Sequence, residues 1–222
     1  LANLLERWGL TVDELTQIVD ENPSLRGFMM GYVSEAKVRK AFFEDPRIEG
    51  IMKDDDHDRK KKGDLTFTYR GREIRVEVKS LQTSSVKPSE EGYKGTFQCD
   101  ASDCRDVILP TRKTVKTTCL LIGEFDIVAV NLFAFEGKWR FAFAKNSDLP
   151  RVTSNRGRNN ALTEEDKKYL LSTSMKITWP LQAPFVEDPF ILLDQLIEEQ
   201  ETSLQKEPLV EKPVVLEDMN VF

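Results

Sequence analysis

The segment that most restricts what this chain can fold into is a β-hairpin written across residues 63 to 79. Gly63-Asp64-Leu65-Thr66-Phe67-Thr68-Tyr69 alternates as a strand, Arg70-Gly71-Arg72 supplies a turn, and Glu73-Ile74-Arg75-Val76-Glu77-Val78-Lys79 alternates again. On the second strand Ile74, Val76 and Val78 face a core. Arg75, Glu77 and Lys79 face the other way, the last two roughly 7 Å apart at Cα by the strand repeat. If the first strand pairs back across so short a turn, Asp64 lies near Val78, and two carboxylates and a lysine converge at one end of the hairpin.

That grouping suits metal-assisted hydrolysis of a phosphodiester. A hard cation such as Mg²⁺ takes oxygen ligands, commonly one or two carboxylates with water and phosphate oxygens in the remaining positions. Asp64 and Glu77 are candidates to hold it, and Lys79 to orient a water and offset charge in the transition state. As a true general base Lys79 would need a pKa far below its ordinary value. Alternating charge is also how a solvent-facing or edge strand resists aggregation, and on that reading Glu77 and Lys79 are a plain surface pair.

Composition narrows the alternatives. The 222 residues include a single histidine and three cysteines, too few for a zinc finger or deaminase centre, and they all but exclude a histidine-dependent nucleophilic triad. Cys99, Cys104 and Cys119 read as reduced thiols of a cytoplasmic protein, with a Cys99–Cys104 bridge the minor alternative. There is neither a run of eighteen apolar residues nor a basic start followed by an apolar stretch, so no membrane span and no secretory signal are expected. The net charge of −6 argues against nucleic-acid binding by bulk attraction, yet residues 187–222 hold ten acidic and two basic side chains, which leaves the rest mildly basic.

Thr11-Val12-Asp13-Glu14 is a capping-box pattern that opens a helix with Leu15, Ile18 and Val19 on one face. Asn22 as N-cap and Pro23 in the first turn start a second helix, expected to run to about Phe43. Its apolar positions Leu25, Phe28, Met29, Tyr32, Val33 and Ala36 read as the core-facing stripe. Glu35 lies at the border of that stripe, aimed into a cleft or simply exposed. Lys53 to Lys62 reads as a solvated loop whose Lys60, Lys61 and Lys62 could steer a phosphate.

Residues 82–95 read as a mobile loop or short helix able to close over DNA, and Gln82 is placed to contact substrate or to serve as an ordinary loop amide. Strands are expected at 96–101, 117–122, 125–133, 138–144 and 175–179, with Asp126 in a structural role within an otherwise apolar strand. Lys145, Arg151, Arg156, Arg158, Asn159 and Asn160 gather in one polar stretch. Arginine pairs bidentately with guanine and asparagine with adenine, so this is the candidate for DNA recognition, beside its reading as a polar surface loop. A helix is expected from Thr163 to about Leu171, and another over 188–200 with Phe190, Leu193, Leu196 and Ile197 on one face. From Glu201 onward disorder or an extended arm is expected.

At Asp64, twelve intervening residues and Glu77-Val78-Lys79, the chain resembles the PD-(D/E)XK nuclease superfamily, which includes most type II restriction endonucleases. Gly63 stands where the motif's name has proline. The resemblance covers about residues 22 to 182. It implies an α/β, restriction-endonuclease-like fold with a central mixed β-sheet flanked by helices, framed by a helical segment (1–21), the nuclease-like domain (22–186) and an acidic helix with a flexible tail (187–222). It further implies a Mg²⁺- or Mn²⁺-dependent endonuclease of phage defence. Asp64 and Glu77 would bind the metal, Lys79 would position water, and Glu35, from the helix before the motif, would assist at a second metal or through water. Double-stranded DNA is the implied substrate, RNA is not excluded, and cutting both strands implies a homodimer. The rival readings are a non-catalytic DNA-binding or assembly module on the same fold and a two-carboxylate glycosidase, which would want aromatic platforms beside the acids.

Overall fold

A computed structural model describes residues 2–53, 63–154, 162–204 and 214–215. Lys60, Lys61, Lys62, Arg156, Arg158, Asn159 and Asn160 lie outside them. The chain is an α/β protein: a five-stranded mixed sheet with helices, accompanied by two small antiparallel sheets. The central sheet has the order β1 (Ile48–Lys53), β2 (Leu65–Tyr69), β3 (Arg72–Ser80), β8 (Ile127–Asn131), β9 (Phe141–Lys145). Only the β3–β8 pairing is parallel. The second sheet orders β10 (Ser174–Trp179), β5 (Gly92–Gln98) and β4 (Lys87–Ser89), and the third β11 (Val214–Val215), β6 (Asp100–Ile108) and β7 (Thr114–Cys119).

The hairpin forms in the register its alternation demands, with Leu65 opposite Val76 and Phe67 opposite Ile74. Its loop is two residues, Arg70 and Gly71, both at positive φ (48° and 78°), the twist that matches paired strands and that Gly adopts without a Cβ clash. Leu65, Phe67, Tyr69, Ile74, Val76 and Val78 all enter one buried cluster with Ile127, Ala129 and Phe143. Helix α6 (Pro189–Leu204) seats Phe190, Leu193 and Leu196 in this cluster, and its Asp194 accepts the Tyr69 hydroxyl at 2.7 Å. The opposite face of the sheet, through Val128, Val130, Ala142 and Ala144, packs on Phe97, Met175 and Ile177 of the second sheet. Fully burying a side chain of this size stabilises by about 1.5–3 kcal/mol, so the two faces supply most of the driving force for folding.

Three helices precede the sheet: α1 (Leu4–Trp8), α2 (Val12–Glu21) and α3 (Pro23–Val38), the last continuing as a π-helical turn over Arg39–Phe43. The Thr11–Glu14 capping box forms as expected, and Pro23 stands in the first turn of α3. Asn22 stands at the N-cap of α3 as expected and its carbonyl accepts the Arg26 N–H at 3.0 Å, but its side chain makes no capping bond; the amide donates back to the Ile18 carbonyl at 2.7 Å, at the end of α2.

A larger correction concerns the stripe of α3. Leu25, Phe28, Met29, Tyr32 and Val33 are exposed, Phe28 at 70%. The buried side chains of α3 are Ser34 and Val38. The sheet presents polar groups where α3 crosses it: Asn131 Nδ2 donates to Ser34 Oγ at 2.8 Å, and Ser34 Oγ lies 3.1 Å from Ser80 Oγ. The Ser34 hydroxyl itself donates to the Met30 carbonyl within α3 at 2.5 Å; the buried Asn131 amide is what requires an acceptor from the helix, and that requirement favours the Ser34 face turning inward. Trp8 (64% exposed) and Leu4 of α1 and Ile18 of α2 are exposed as well.

Asn131 also accepts the Phe133 backbone N–H at 2.9 Å. Asn131→Leu orphans this donor and breaks the contact with Ser34, and is expected to lower stability by about 1–3 kcal/mol, read as a fall in the urea midpoint at unchanged m.

Elsewhere the elements differ in extent from their expectations. Residues 82–95, expected as a mobile loop or a short helix, are a 3₁₀ turn (Thr83–Ser85) followed by the β4–β5 hairpin. The helix after Thr163 is one turn, α5 (Glu164–Lys167), with Leu170 and Leu171 bridging to Leu121 and Arg151. A short helix α4 (Phe133–Glu136) ends the segment expected to continue as strand. Asp126 is structural as expected: it accepts Arg72 Nη2 at 2.7 Å and the Arg75 N–H at 2.9 Å. All three cysteines are free thiols, which removes the Cys99–Cys104 bridge. No described helix is long and apolar enough to cross a membrane.

Candidate active site

Where β2 begins and β3 ends, four chain segments bring charge together. Asp64 sits one residue before β2; its N–H donates to the Val76 carbonyl at 2.9 Å and its Oδ2 accepts the Val78 N–H at 2.6 Å. This locks the carboxylate beside Glu77 and Lys79 of β3, whose side chains lie on the sheet face turned to the second sheet and are mostly covered. There Lys79 Nζ contacts Glu77 Oε1 at 2.6 Å and donates to the Asp100 carbonyl at 3.3 Å. Glu35, on the last turns of α3, is ion-paired with Lys53 at 2.8 Å. Lys53 Nζ also stands 4.2 Å from the centroid of the Tyr32 ring, at the end of β1.

The electrostatics follow from crowding. Burial pushes the Asp64 carboxyl up to about 8; Glu77 and, more weakly, Glu35 add to the rise, while Lys79 and the Val78 N–H oppose it. Burial alone would lower the Lys79 pKa, but Glu77 and Asp64 outweigh it and raise it. Lys79 is therefore a firm ammonium, a donor of charge rather than a general base. Cys99, beside it, is pushed up to about 12 by burial and is an inert thiol.

The residues present fit a hard divalent cation. Asp64 and Glu77 supply two carboxylates, and the like-charge pressure on Asp64 is what a cation would relieve. Glu35 Oε2 is buried and accepts no directed hydrogen bond, although the Lys53 charge lies against it. Among the described residues no group of three or more His, Cys, Asp or Glu side chains is close enough to hold an ion. Water and phosphate oxygens would complete the shell of such an ion.

The other expected site residues are placed apart. The Gln82 N–H donates to the Thr96 carbonyl and its Oε1 accepts the Thr96 hydroxyl at 3.2 Å, tying the end of β3 to β5. Lys145 lies in register with Ile127 and Val76, on the sheet face opposite Glu77 and Lys79, ion-paired with Glu199 of α6 at 2.6 Å. Arg151 spends its guanidinium on the backbone carbonyls of Ser147, Leu149 and Lys168. Trp139 packs on Phe133 and Phe141, and Trp179 carries the Arg140 guanidinium on its ring, so neither is a sugar platform beside the carboxylates.

Sequence reading missed Lys53. Its signal is weak, because β1 is short, contains Gly50 and carries a register shift between Glu49 and Met52. No family model, no curated protein and no solved structure matches the chain.

Proposed function

We propose that the chain is a Mg²⁺- or Mn²⁺-dependent endodeoxyribonuclease with a restriction-endonuclease-like fold, acting on double-stranded DNA as a type II restriction-like enzyme of phage defence in the cytoplasm. The observation that carries the reading is the convergence of Asp64, Glu77 and Lys79 on one hairpin end, with Asp64 buried under like-charge pressure. The motif resemblance and the mixed sheet that presents the hairpin support it.

In this reading Asp64 and Glu77 hold the cation. When bound, it supplies Lewis-acid polarisation of the phosphodiester. Lys79, anchored by the Asp100 carbonyl, presents its ammonium to the phosphate oxygens and orients the attacking water. Glu35 sets the negative charge on the α3 side of the site. Two copies are needed to cut both strands, and the exposed apolar side chains of α1–α3, Tyr32 beside Lys53 among them, support their pairing. RNA shares this chemistry and belongs in the substrate test.

A second reading, a non-catalytic DNA-binding or assembly module, is favoured by the closed Glu77–Lys79 pair, in which each group already has a partner. Incubation of unmethylated phage DNA and of RNA with Mg²⁺ separates the two. Discrete DNA fragments lost with EDTA and with Glu77→Gln are the expected result. Retardation of DNA without cleavage, unchanged in the variant, would leave the module.

A further inference from the structure

Five charged side chains gather about Asp64, with Lys79 and Glu77 at one end and Glu35 and Lys53, on the opposite face of the sheet, at the other. The two ends are unlike. Lys79 is anchored by a carboxylate and a backbone carbonyl and is mostly covered. Lys53 is the more open ammonium, its side chain 39% exposed while that of Glu35 is 13% exposed. Its contacts include a carboxylate charge and a ring face, and the carboxylate oxygen it touches makes no directed hydrogen bond. A compact ammonium on a flexible stem exchanges such contacts for a phosphate readily.

We propose that Lys53 is a second phosphate-contacting residue of the site, with Glu35 and Tyr32 holding its ammonium on the α3 side of the carboxylates. The inference rests on the nuclease reading and extends it. Strand register gives the strand end but not a shared face: Lys53 pairs with Leu65, the neighbour of Asp64, and so lies on the Leu65–Val76 face of the sheet, opposite Glu77 and Lys79, and its ammonium comes to the end of the sheet from the α3 side. A backbone phosphate drawn towards Asp64 and Glu77 then meets a cation on each side, Lys79 from β3 and Lys53 from β1. Glu35 thereby acts as a positioning residue, holding the ammonium 2.8 Å from its carboxylate.

The test is duplex DNA binding by fluorescence anisotropy in Ca²⁺ across a salt series, with wild type, Lys53→Met, Lys53→Arg and Glu35→Gln, each checked for an intact thermal transition. Lys53→Met is expected to weaken binding about tenfold and to reduce the slope of log K against log salt by about one phosphate's worth. Lys53→Arg keeps the slope, and Glu35→Gln gives a smaller loss at unchanged slope. A folded Lys53→Met with wild-type affinity and slope overturns the assignment, as does a Lys53→Arg that loses as much as Lys53→Met. Binding with the Lys53 dependence intact but no Mg²⁺-dependent cleavage by the wild type upholds the contact and overturns the nuclease reading. A wild type that binds no duplex overturns both.

Discussion

At pH 8 and without divalent cations, protein carrying Asp64→Asn is expected to unfold at a higher temperature than wild type, and the two are expected to converge near pH 4. The Asp64 carboxyl is raised from an ordinary value near 3.8 to about 8 by burial and by Glu77. A group raised on folding contributes stability that is complete below its unfolded pKa and is lost as pH rises through the folded one. The loss therefore runs from about pH 4 to about pH 8 and levels off above it. A shift of this size is worth on the order of a few kcal/mol. Asparagine keeps an acceptor for the Val78 N–H and carries no charge to desolvate. Mg²⁺ should act in the same direction on wild type alone, raising its melting temperature at pH 8 by binding the folded state. A wild-type-to-variant difference that stays constant from pH 4 to pH 9 would show that the buried carboxylate does not govern the pH response.

Lys79→Met is expected to lower Mg²⁺-dependent cleavage by about 10²- to 10⁴-fold, the range for loss of a transition-state donor or proton-handling group. The same change is expected to tighten divalent binding by calorimetry, because it removes a cation that sits 2.6 Å from Glu77. Opposite signs for binding and turnover distinguish a charge-stabilising lysine from a structural one, which would weaken both. Lys79→Arg should rescue poorly, since a planar fork cannot occupy the space of a compact ammonium wedged between Glu77 and the Asp100 carbonyl. Because the Lys79 pKa is raised, the ammonium persists into the alkaline range and the rate should show no alkaline limb arising from its deprotonation. Cleavage by Lys79→Met within threefold of wild type would remove Lys79 from the reaction.

Alternation in the hairpin was enough to place Asp64, Glu77 and Lys79 together, because a period of two assigns faces and a two-residue loop assigns register. The amphipathic pattern over 188–200 likewise gave a helix that packs on the body. Periodicity alone did not show what a face looks at. The stripe of α3 was legible as a stripe, but its direction depended on Ser34, Ser80 and Asn131, which meet from three separate segments. Lys53 and Glu35 are 18 positions apart in the chain and meet through the β1–β2 pairing, which no local pattern encodes. The basic side chains Lys145 and Arg151 read as free in the sequence, whereas their partners, Glu199 and three carbonyls, come from folding. Strand β6 reads as Asp-Ala-Ser-Asp-Cys-Arg-Asp, too polar to alternate, and forms because β7 pairs with it.

Helix α3 presents two kinds of surface at once. Its inner side is notched: hydroxyl and amide groups meet at set distances and angles, so a sideways slip of even a fraction of a turn leaves a donor stranded. Its outer side is oily, and apolar contact has no preferred direction. Mutations can therefore accumulate on the two sides at different rates. Phe28, Met29 and Val33 can be exchanged for other apolar residues, and what lies against them can change, while the Ser34 notch keeps Glu35 at the same height above the hairpin.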